Sequence, residues 1–360
     1  MIDIKNEYLI SGIQQIGLGN SNVYDTWEWY RQHLGMDIPV FNEAAEAKLM
    51  LPYTGNQVQS RHAILVLNFG GGAGLEFWQY TSRLPKPAPF EIQYSDLGIL
   101  CPKFKTPNVL KVYEYFQKNN LEILSTPSLE PFNILHFFAK DGFGNLIEIT
   151  EGLDYYDLGN ARNGGIIGAT LGVENLEESI TLFQELLKFD VVISRQTGTF
   201  TDIENLGDKS NIYERVLLTH KEKHKGPFSQ LLGQNYIELI NCQNKTGRKI
   251  FENRYWGDLG YIHLCFDIIG MEAIKVKCKD MNYPFTVDSQ NTFDMGEAAG
   301  HFSYIETREG ILLEFVETHK IPIIKKLSWY LNLLKRNREK PLSRLVLKGL
   351  ELNRKKIKVN

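Results

Sequence analysis

The sequence lacks the features that mark a disulfide framework, a zinc ribbon, a secreted protein or a membrane protein. Its four cysteines are scattered with no C-x-x-C pair, which favours buried free thiols in a reducing compartment. No apolar run reaches membrane-spanning length, and the segment Met1-Ile-Asp-Ile-Lys5 has neither the basic nor the apolar region of a signal peptide. We therefore expect a cytoplasmic protein with no integral membrane segment.

Several enzyme signatures are also missing. The sequence contains no hydrolase triad, phosphate loop or dinucleotide-binding fingerprint. The glycine run Gly70–Gly74 leads into a strand rather than a helix, so it predicts a hairpin and not a phosphate cradle.

Charge is divided unevenly along the chain. The formal net charge is −3, but residues 319–360 carry +11 and the rest about −14. Two apolar-rich segments, Pro322–Arg338 and Pro341–Arg354, predict a basic tail of two helices. Such a tail can pack on the body, form a homodimer with a second subunit, or lie on an anionic membrane surface. We expect packing, since the apolar residues do not form one clean face. The body is acidic and contains no nucleic-acid-recognition motif, which argues against nucleic-acid binding.

One pattern recurs four times: an apolar strand with a single glutamate inside it. The turn Asp141-Gly-Phe-Gly-Asn145 leads into such a strand, in which Leu146 and Glu148 share one face and Ile147 the other. The four glutamates are Glu76, Glu148, Glu238 and Glu314. Burying a carboxylate there is costly without a cation or several donors.

Each of these strands ends a unit that reads strand, helix, then about three strands, within residues 9–80, 94–150, 166–240 and 260–316. Four βαβββ modules explain the repetition, and they predict an α+β protein. The polar, glycine-rich stretch Gly152–Gly165 predicts a boundary. We expect two half-barrel domains of two modules each, at residues 1–155 and 164–318, and the helical tail at 319–360.

Three short segments carry a family resemblance: Asp141–Glu148, Tyr261–Phe266 and Tyr30–Gly35. With the paired modules, they make residues 9–318 resemble the vicinal oxygen chelate superfamily. Its members include glyoxalase I, methylmalonyl-CoA epimerase, extradiol ring-cleaving dioxygenases, 4-hydroxyphenylpyruvate dioxygenase and bleomycin-resistance proteins. The resemblance implies that two modules close into a half-barrel cup that holds a divalent metal ion.

The resemblance also implies the ligand positions. The first cup would present Gln15, Glu76, Asp96 and Glu148, with Asp96 where glyoxalase I has a histidine, which favours harder ions. The second would present Glu238, His263 and Glu314, with Gly168 in a slot where it cannot ligate. The candidate ions are Mg, Mn, Ca, Zn, Ni and Fe. There are two alternatives to a metal ion in the first cup: the acids share a proton, or their side chains face solvent. A lone histidine such as His263 is also compatible with a satisfied core residue.

The implied function is a metal-dependent isomerase, epimerase or lyase. A small carbonyl- or hydroxy-bearing substrate would bind the ion, which stabilises an enolate while a glutamate moves the proton. That base would be Glu148 or Glu76 in the first cup, and Glu314 or Glu238 in the second. The alternatives are a non-catalytic small-molecule binding protein and, because one of the two expected histidines is missing, a divergent ring-cleaving dioxygenase.

Overall fold

The computed structural model describes residues 7–290, 293–294, 299–324 and 329–355. Four consecutive modules, each with one main helix, make up most of this chain. Module 1 consists of β1 (Leu9–Gly19), α1 (Val23–Leu34), β2 (Ile38–Glu46), β3 (Ser60–Leu67) and β4 (Gly74–Tyr80). Module 2 consists of β5 (Gly98–Thr106), α2 (Val109–Lys118), β6 (His136–Lys140) and β7 (Leu146–Glu151).

The second half of the chain repeats the plan. Module 3 consists of β8 (Ile166–Gly172), α3 (Leu176–Glu185), β9 (Val191–Gly198), β10 (Tyr213–Thr219), the short α4 (Ser229–Leu232) and β11 (Tyr236–Cys242). Module 4 consists of β12 (Gly260–Ile269), α5 (Met271–Asp280), β13 (Val287–Asp288), β14 (Phe293–Asp294), β15 (Ala299–Glu306) and β16 (Leu312–Ile324). The predicted α+β class is confirmed.

Local sequence explains where these elements begin. Asn22, Asn108 and Asn175 each precede a module's helix, and each side chain accepts hydrogen bonds from backbone N–H groups of the first turn. In the hairpin before β7, Asp141 Oδ1 accepts from the N–H of Phe143 at 2.9 Å and of Asn145 at 2.8 Å. Three of the four module helices therefore begin at an asparagine cap, and in module 2 a side-chain-stabilised turn leads into the last strand.

The modules pair 1 with 4 and 2 with 3. One sheet has the order β13-β15-β16-β12-β1-β4-β3-β2, and the other has the order β6-β7-β5-β8-β11-β10-β9. The central contacts are the antiparallel pairs β1–β12 and β5–β8. Each sheet forms a half-barrel, which we call the β1/β12 cup and the β5/β8 cup.

This pairing differs from the expected pairing within residues 1–155 and within 164–318. The strand that follows the boundary segment, β8, lies against β5 of the preceding module. This leaves β1 free to pair with β12. Either arrangement gives a cup with one central antiparallel pair, so the strand pattern alone does not select between them.

Strand alternation separates the core from the cups. Ile147, Ile149, Leu75 and Phe77 pack with the helices in the main hydrophobic cluster. On the opposite face of β4, Trp78 and Tyr80 join a second cluster inside the β1/β12 cup. The glutamates lie on this inner face, as the alternation predicts.

In the described part of the tail, residues 319–324 and 329–355, there is one helix and not two. β16 continues to Ile324 and pairs with β17 (Trp329–Asn332), with Ile321 opposite Leu331. The helix predicted for Pro322–Arg338 is therefore wrong. This segment is rich in isoleucine and aromatic residues, which favour strands. Residues 325–328 of that prediction lie outside the described residues. The second segment does form a helix, α6 (Arg344–Glu351).

The basic tail packs on the acidic body. Leu342 and Leu347 are buried in a cluster with Ile38 and Leu67. Arg354 Nη1 lies 2.6 Å from Asp37 Oδ2. These contacts agree with the expected packing on the body, and homodimer formation through the tail stays a prediction. Within the described ranges, no helix is long and apolar enough to cross a membrane.

Two buried histidines follow β10. The rings of His220 and His224 lie 4.0 Å apart, and His220 also lies 4.0 Å from the ring of Phe189. Burial lowers the pKa of His220 to about 3 and that of His224 to about 4. Both side chains are therefore neutral in the folded protein near neutral pH.

This pair predicts a loss of stability in mild acid. Below the ordinary pKa of 6.5 the unfolded chain protonates both histidines, whereas the folded chain does not until about pH 4. Because the unfolded state binds more protons, the free energy of unfolding falls as pH drops from about 6.5 to about 4, by up to about 1.4 kcal/mol per pH unit for each histidine. Urea unfolding across this range measures the slope. His220→Phe should remove about half of it, and an unchanged slope would contradict the assignment.

Candidate metal centre

The floor of the β1/β12 cup is formed by four side chains from its four central strands: Gln15 on β1, Glu76 on β4, His263 on β12 and Glu314 on β16. Strand register brings them together. Gly17 on β1 lies opposite both Glu76 and His263, while Cys265 on β12 lies opposite both Gln15 and Glu314.

The four groups are close and buried. His263 Nε2 lies 3.3 Å from Oε2 of Glu76 and 3.3 Å from Oε2 of Glu314. The Gln15 amide donates to Glu76 Oε2 at 3.2 Å. The imidazole of His263 is fully buried. A Cβ atom on Gly17 would lie 2.4 Å from His263 Cε1, so glycine is needed beneath the ring.

The charges in this floor are out of balance. Burial raises the pKa of Glu314, and the charge of Glu76 raises it further, against the opposing effect of His263. Burial alone would lower the pKa of His263, but Glu314 and Glu76 raise it above its ordinary value. Two carboxylates share one imidazole, so the site favours additional positive charge.

The residues fit a divalent cation. Glu76, His263 and Glu314 each offer a ligand atom, and these atoms all lie within 4.8 Å of one another. Among the described residues, His263 Nε2 and Gln15 Oε1 are buried without a hydrogen-bond partner. Rotation of the Gln15 amide would turn its oxygen toward the carboxylates, giving one nitrogen and three oxygen ligands. Such a mixed set suits Fe, Ni or Zn better than an all-oxygen site does.

Aromatic side chains surround the floor. The ring of Trp256 stacks on His263 with centroids 6.0 Å apart, and its indole Nε1 lies 3.4 Å from His263 Nδ1. Tyr304 donates its hydroxyl to Glu314 Oε1 at 2.8 Å, and burial raises the pKa of Tyr304 well above its usual value. The tyrosine therefore remains a donor. Trp78 packs against Trp256 and completes this apolar wall.

Residues 12–149 match the sequence model of the Glyoxalase/Bleomycin resistance protein/Dioxygenase superfamily. This match places residues 12–149, which make up most of modules 1 and 2, in the superfamily.

Two solved structures share the fold of this chain. A glyoxalase I variant from Zea mays aligns with 88% of this chain and 97% of its own at a TM-score of 0.55, with 12% sequence identity. A protein from Bacillus subtilis subsp. subtilis strain 168, described as a "putative dioxygenase", aligns with 86% of both chains at a TM-score of 0.54, with 14% identity. A search of curated protein sequences found no significant match. At these identities the likeness concerns the fold alone.

The β5/β8 cup has a floor with the same arrangement as that of the β1/β12 cup, but with different residues. Cys101 lies opposite Thr170, and Lys103 lies opposite Gly168, as Gln15 lies opposite Cys265 and Gly17 opposite His263. By this register, the counterparts of Gln15, Glu76, His263 and Glu314 are Cys101, Glu148, Gly168 and Glu238. The glutamates are kept. The histidine slot is empty, and a lysine replaces Gly17.

Lys103 supplies the positive charge in this second floor. Its ammonium group is buried, hydrogen-bonds Glu148 and donates to Glu238 Oε2 at 2.6 Å. His136 Nδ1 lies 2.9 Å from Glu148 Oε1. Although burial favours protonation, Lys103 and then His136 lower the pKa of Glu148 to about 2. Arg215 Nε donates to Glu238 Oε1 at 2.7 Å. Both carboxylates are therefore ionised and paired with side chains.

The predicted site residues are thus redistributed. Gln15 and Glu76, expected in the first cup, lie with His263 and Glu314, expected in the second. Glu148 and Glu238 lie together in the β5/β8 cup. Asp96 lies in neither floor, because it precedes β5 and forms an ion pair with Arg248 through Oδ2 and Nη2 at 2.8 Å. The expected site of Gln15, Glu76, Asp96 and Glu148 is not formed.

Sequence reasoning missed Lys103 and Arg215. Both are buried and lie inside strands, where a charged side chain needs a partner. Lys103 stands in the apolar run Gly98–Phe104, and Arg215 follows Tyr213-Glu214 and precedes Val216-Leu217-Leu218. A positively charged residue inside an apolar strand indicates a buried, paired side chain in the same way as a glutamate in such a strand does.

Proposed function

We propose that the β1/β12 cup binds a divalent metal ion through Gln15, Glu76, His263 and Glu314, and that the protein is a metal-dependent isomerase, epimerase or lyase of the glyoxalase type. Its substrate would be a small molecule that bears a carbonyl or hydroxyl group. One observation carries this proposal. Three ligand atoms, from Glu76, His263 and Glu314, converge within 4.8 Å in a buried floor.

The ligand set favours this chemistry over ring cleavage by dioxygen. Non-haem iron oxygenases use two histidines and one carboxylate, whereas this floor has one histidine, two carboxylates and an amide. When bound, a divalent ion supplies Lewis-acid polarisation of a substrate oxygen. A polarised carbonyl makes the adjacent C–H group more acidic.

Glu76 is the best placed base. In the described part of the chain, its Oε2 accepts from Gln15, and its Oε1 has no hydrogen bond. Glu314 Oε1, in contrast, is held by Tyr304. Glu76 would take a proton from the carbon next to the substrate carbonyl and return it to a neighbouring atom, which completes an isomerisation without a net change in protons. Trp78, Trp256 and Tyr304 exclude water from the transfer.

Metal content tests the proposal. We expect about one equivalent of a divalent ion in wild-type protein purified without chelator or metal-affinity resin. We expect a large loss in His263→Gln, which removes the imidazole ligand, and in Glu314→Gln, which replaces a charged ligand with a neutral amide. The matched control is Glu148→Gln, which changes the corresponding glutamate of the β5/β8 cup. It should keep the ion. Elemental mass spectrometry gives the stoichiometry and identity.

Two outcomes would overturn this assignment. Wild-type protein that contains no divalent ion and takes up none on soaking would leave the cup as a metal-free binding site. Loss of the ion in Glu148→Gln, with retention in Glu314→Gln, would move the centre to the other cup.

A further inference from the structure

We propose that the β5/β8 cup is a second ligand site, which binds a small organic anion with an apolar body and a carboxylate group, and binds it without a metal ion. The carboxylate would accept from the guanidinium of Arg215. This proposal concerns the other cup and does not depend on the function proposed for the β1/β12 cup.

The cup opens into a large cavity. Its volume is about 1360 Å³, which exceeds that of a typical small-molecule pocket. Lys103, Glu148, Arg215 and Glu238 line its floor. Phe132, Ile134 and Tyr236 contribute apolar surface to its walls. A cavity with an apolar wall and a few convergent polar groups is the usual form of a small-molecule site.

One donor in the floor is unused. Arg215 is fully buried, and its Nε and Nη1 are occupied: Nε by Glu238, and Nη1 by both oxygens of Asp202, at 2.9 and 2.8 Å. Over the ranges that the structure describes, Nη2 has no hydrogen-bond partner. An unpaired N–H on a buried charged group is costly. The protein therefore provides no hydrogen-bond acceptor for Nη2 in its described ranges, and a ligand could provide one.

The charges of the floor decide between an anion and a metal ion. Glu148 and Glu238 are the only inner-face counterparts of the metal-centre glutamates, and the ammonium of Lys103 lies between them. A divalent cation placed there would meet a like charge at contact distance. Arg215 already pairs with Asp202 and Glu238, so the ligand carboxylate would be held by the remaining nitrogen, Nη2. Guanidinium and carboxylate groups match in planar geometry.

The surroundings of Arg215 favour an apolar body on this anion. The rings of Phe132 and Phe200 lie 5.5 and 5.0 Å from Arg215 Cζ. Phe132 also faces the cavity. An aromatic or branched aliphatic acid would place its carboxylate on Nη2 and its body on this ring.

Benzoate is a suitable probe, with benzyl alcohol as its neutral match. We expect titration calorimetry of chelator-treated, full-length protein to show benzoate binding at least about tenfold tighter than benzyl alcohol, because a good charge-assisted bond changes affinity by that factor. Chelator treatment prevents the carboxylate from binding an ion in the other cup. Arg215→Lys keeps the charge but removes Nη2, so it should weaken benzoate binding at least about tenfold.

A second variant tests the site even if Arg215→Lys does not fold. Ile134→Trp fills the cavity from its wall and leaves the floor unchanged, and it should abolish benzoate binding. Leu84→Trp places the same ring at an exposed position, 86% accessible, outside the cup, and it should bind benzoate like wild type. Absence of benzoate binding to wild type would mean that water alone fills the site. Equal binding to wild type and Ile134→Trp would place benzoate elsewhere. Either result overturns the proposal.

Discussion

Replacement of Lys103 by methionine is expected to lower the free energy of unfolding by about 3–5 kcal/mol, because it leaves two buried carboxylates without the cation between them. Methionine keeps most of the length of the side chain, so the loss comes from charge and not from a cavity. Glu148 would keep only His136 as a partner, and Glu238 would keep Arg215 and Thr170. Urea unfolding followed by circular dichroism measures the change.

A double-mutant cycle separates charge from packing. Adding Glu148→Gln to Lys103→Met removes the carboxylate that depends most on the lysine, so the double variant should be more stable than Lys103→Met alone, with a coupling energy of up to about 3 kcal/mol. A Lys103→Met protein within about 0.5 kcal/mol of wild type, the range of an ordinary surface substitution, would show that the floor does not need this cation.

Local sequence predicts the modules well. Nearby residues define both the helix α1, Val23–Leu34, and the strand β10, Tyr213–Thr219. Asn22 and Gly35 cap the helix, and the apolar run Val216-Leu217-Leu218 marks the strand. The inner-face position of each glutamate follows from the same alternation. These features need no knowledge of distant parts of the chain.

The grouping of site residues depends on distant parts of the chain. Gln15 lies with His263 because β1 pairs with β12, and the alternative pairing would have placed it with Glu148. Each module offers the same first strand to a partner, so four modules can pair in more than one way. The choice depends on the side chains that meet across β1–β12 and β5–β8. One such contact is Gly17 beneath His263, and another is Lys103 opposite Gly168.

The error at Asp96 has a local cause. Module 2 was expected to begin with a strand at residue 94, but its first strand, β5, spans Gly98–Thr106. Pro102, Lys103 and Lys105 resemble the end of a strand, because proline and lysine are uncommon inside one. In the fold the two lysines are buried, and Lys103 is paired with Glu148 and Glu238. The stabilising partners are far away in sequence, so the strand continues where local propensity predicts that it ends.

If the β1/β12 cup holds a divalent ion, as we propose, its removal is expected to have the second large effect on stability. When the free ion is present at about a thousand times its dissociation constant, its loss lowers the free energy of unfolding by about 4 kcal/mol. Without the ion, Glu76 and Glu314 share a single buried imidazole, His263, at 3.3 Å each. Thermal and urea unfolding with and without chelator measure this difference.

The variant Glu314→Gln tests whether the effect of chelator on stability arises in the β1/β12 cup. It replaces a proposed carboxylate ligand with a neutral amide, so the ion should bind weakly and chelator should change the stability of this variant much less than that of wild type. It also removes one of two neighbouring buried carboxylates, so the metal-free variant should be more stable than metal-free wild type. Glu238→Gln, the corresponding change in the β5/β8 cup, should instead keep the full chelator response, because Lys103 and Arg215 already balance that floor. If chelator destabilises Glu314→Gln as much as wild type, the ion is bound outside the β1/β12 cup. If it destabilises neither, the two carboxylates are held by protons and by Tyr304, and the cup has no need of a metal.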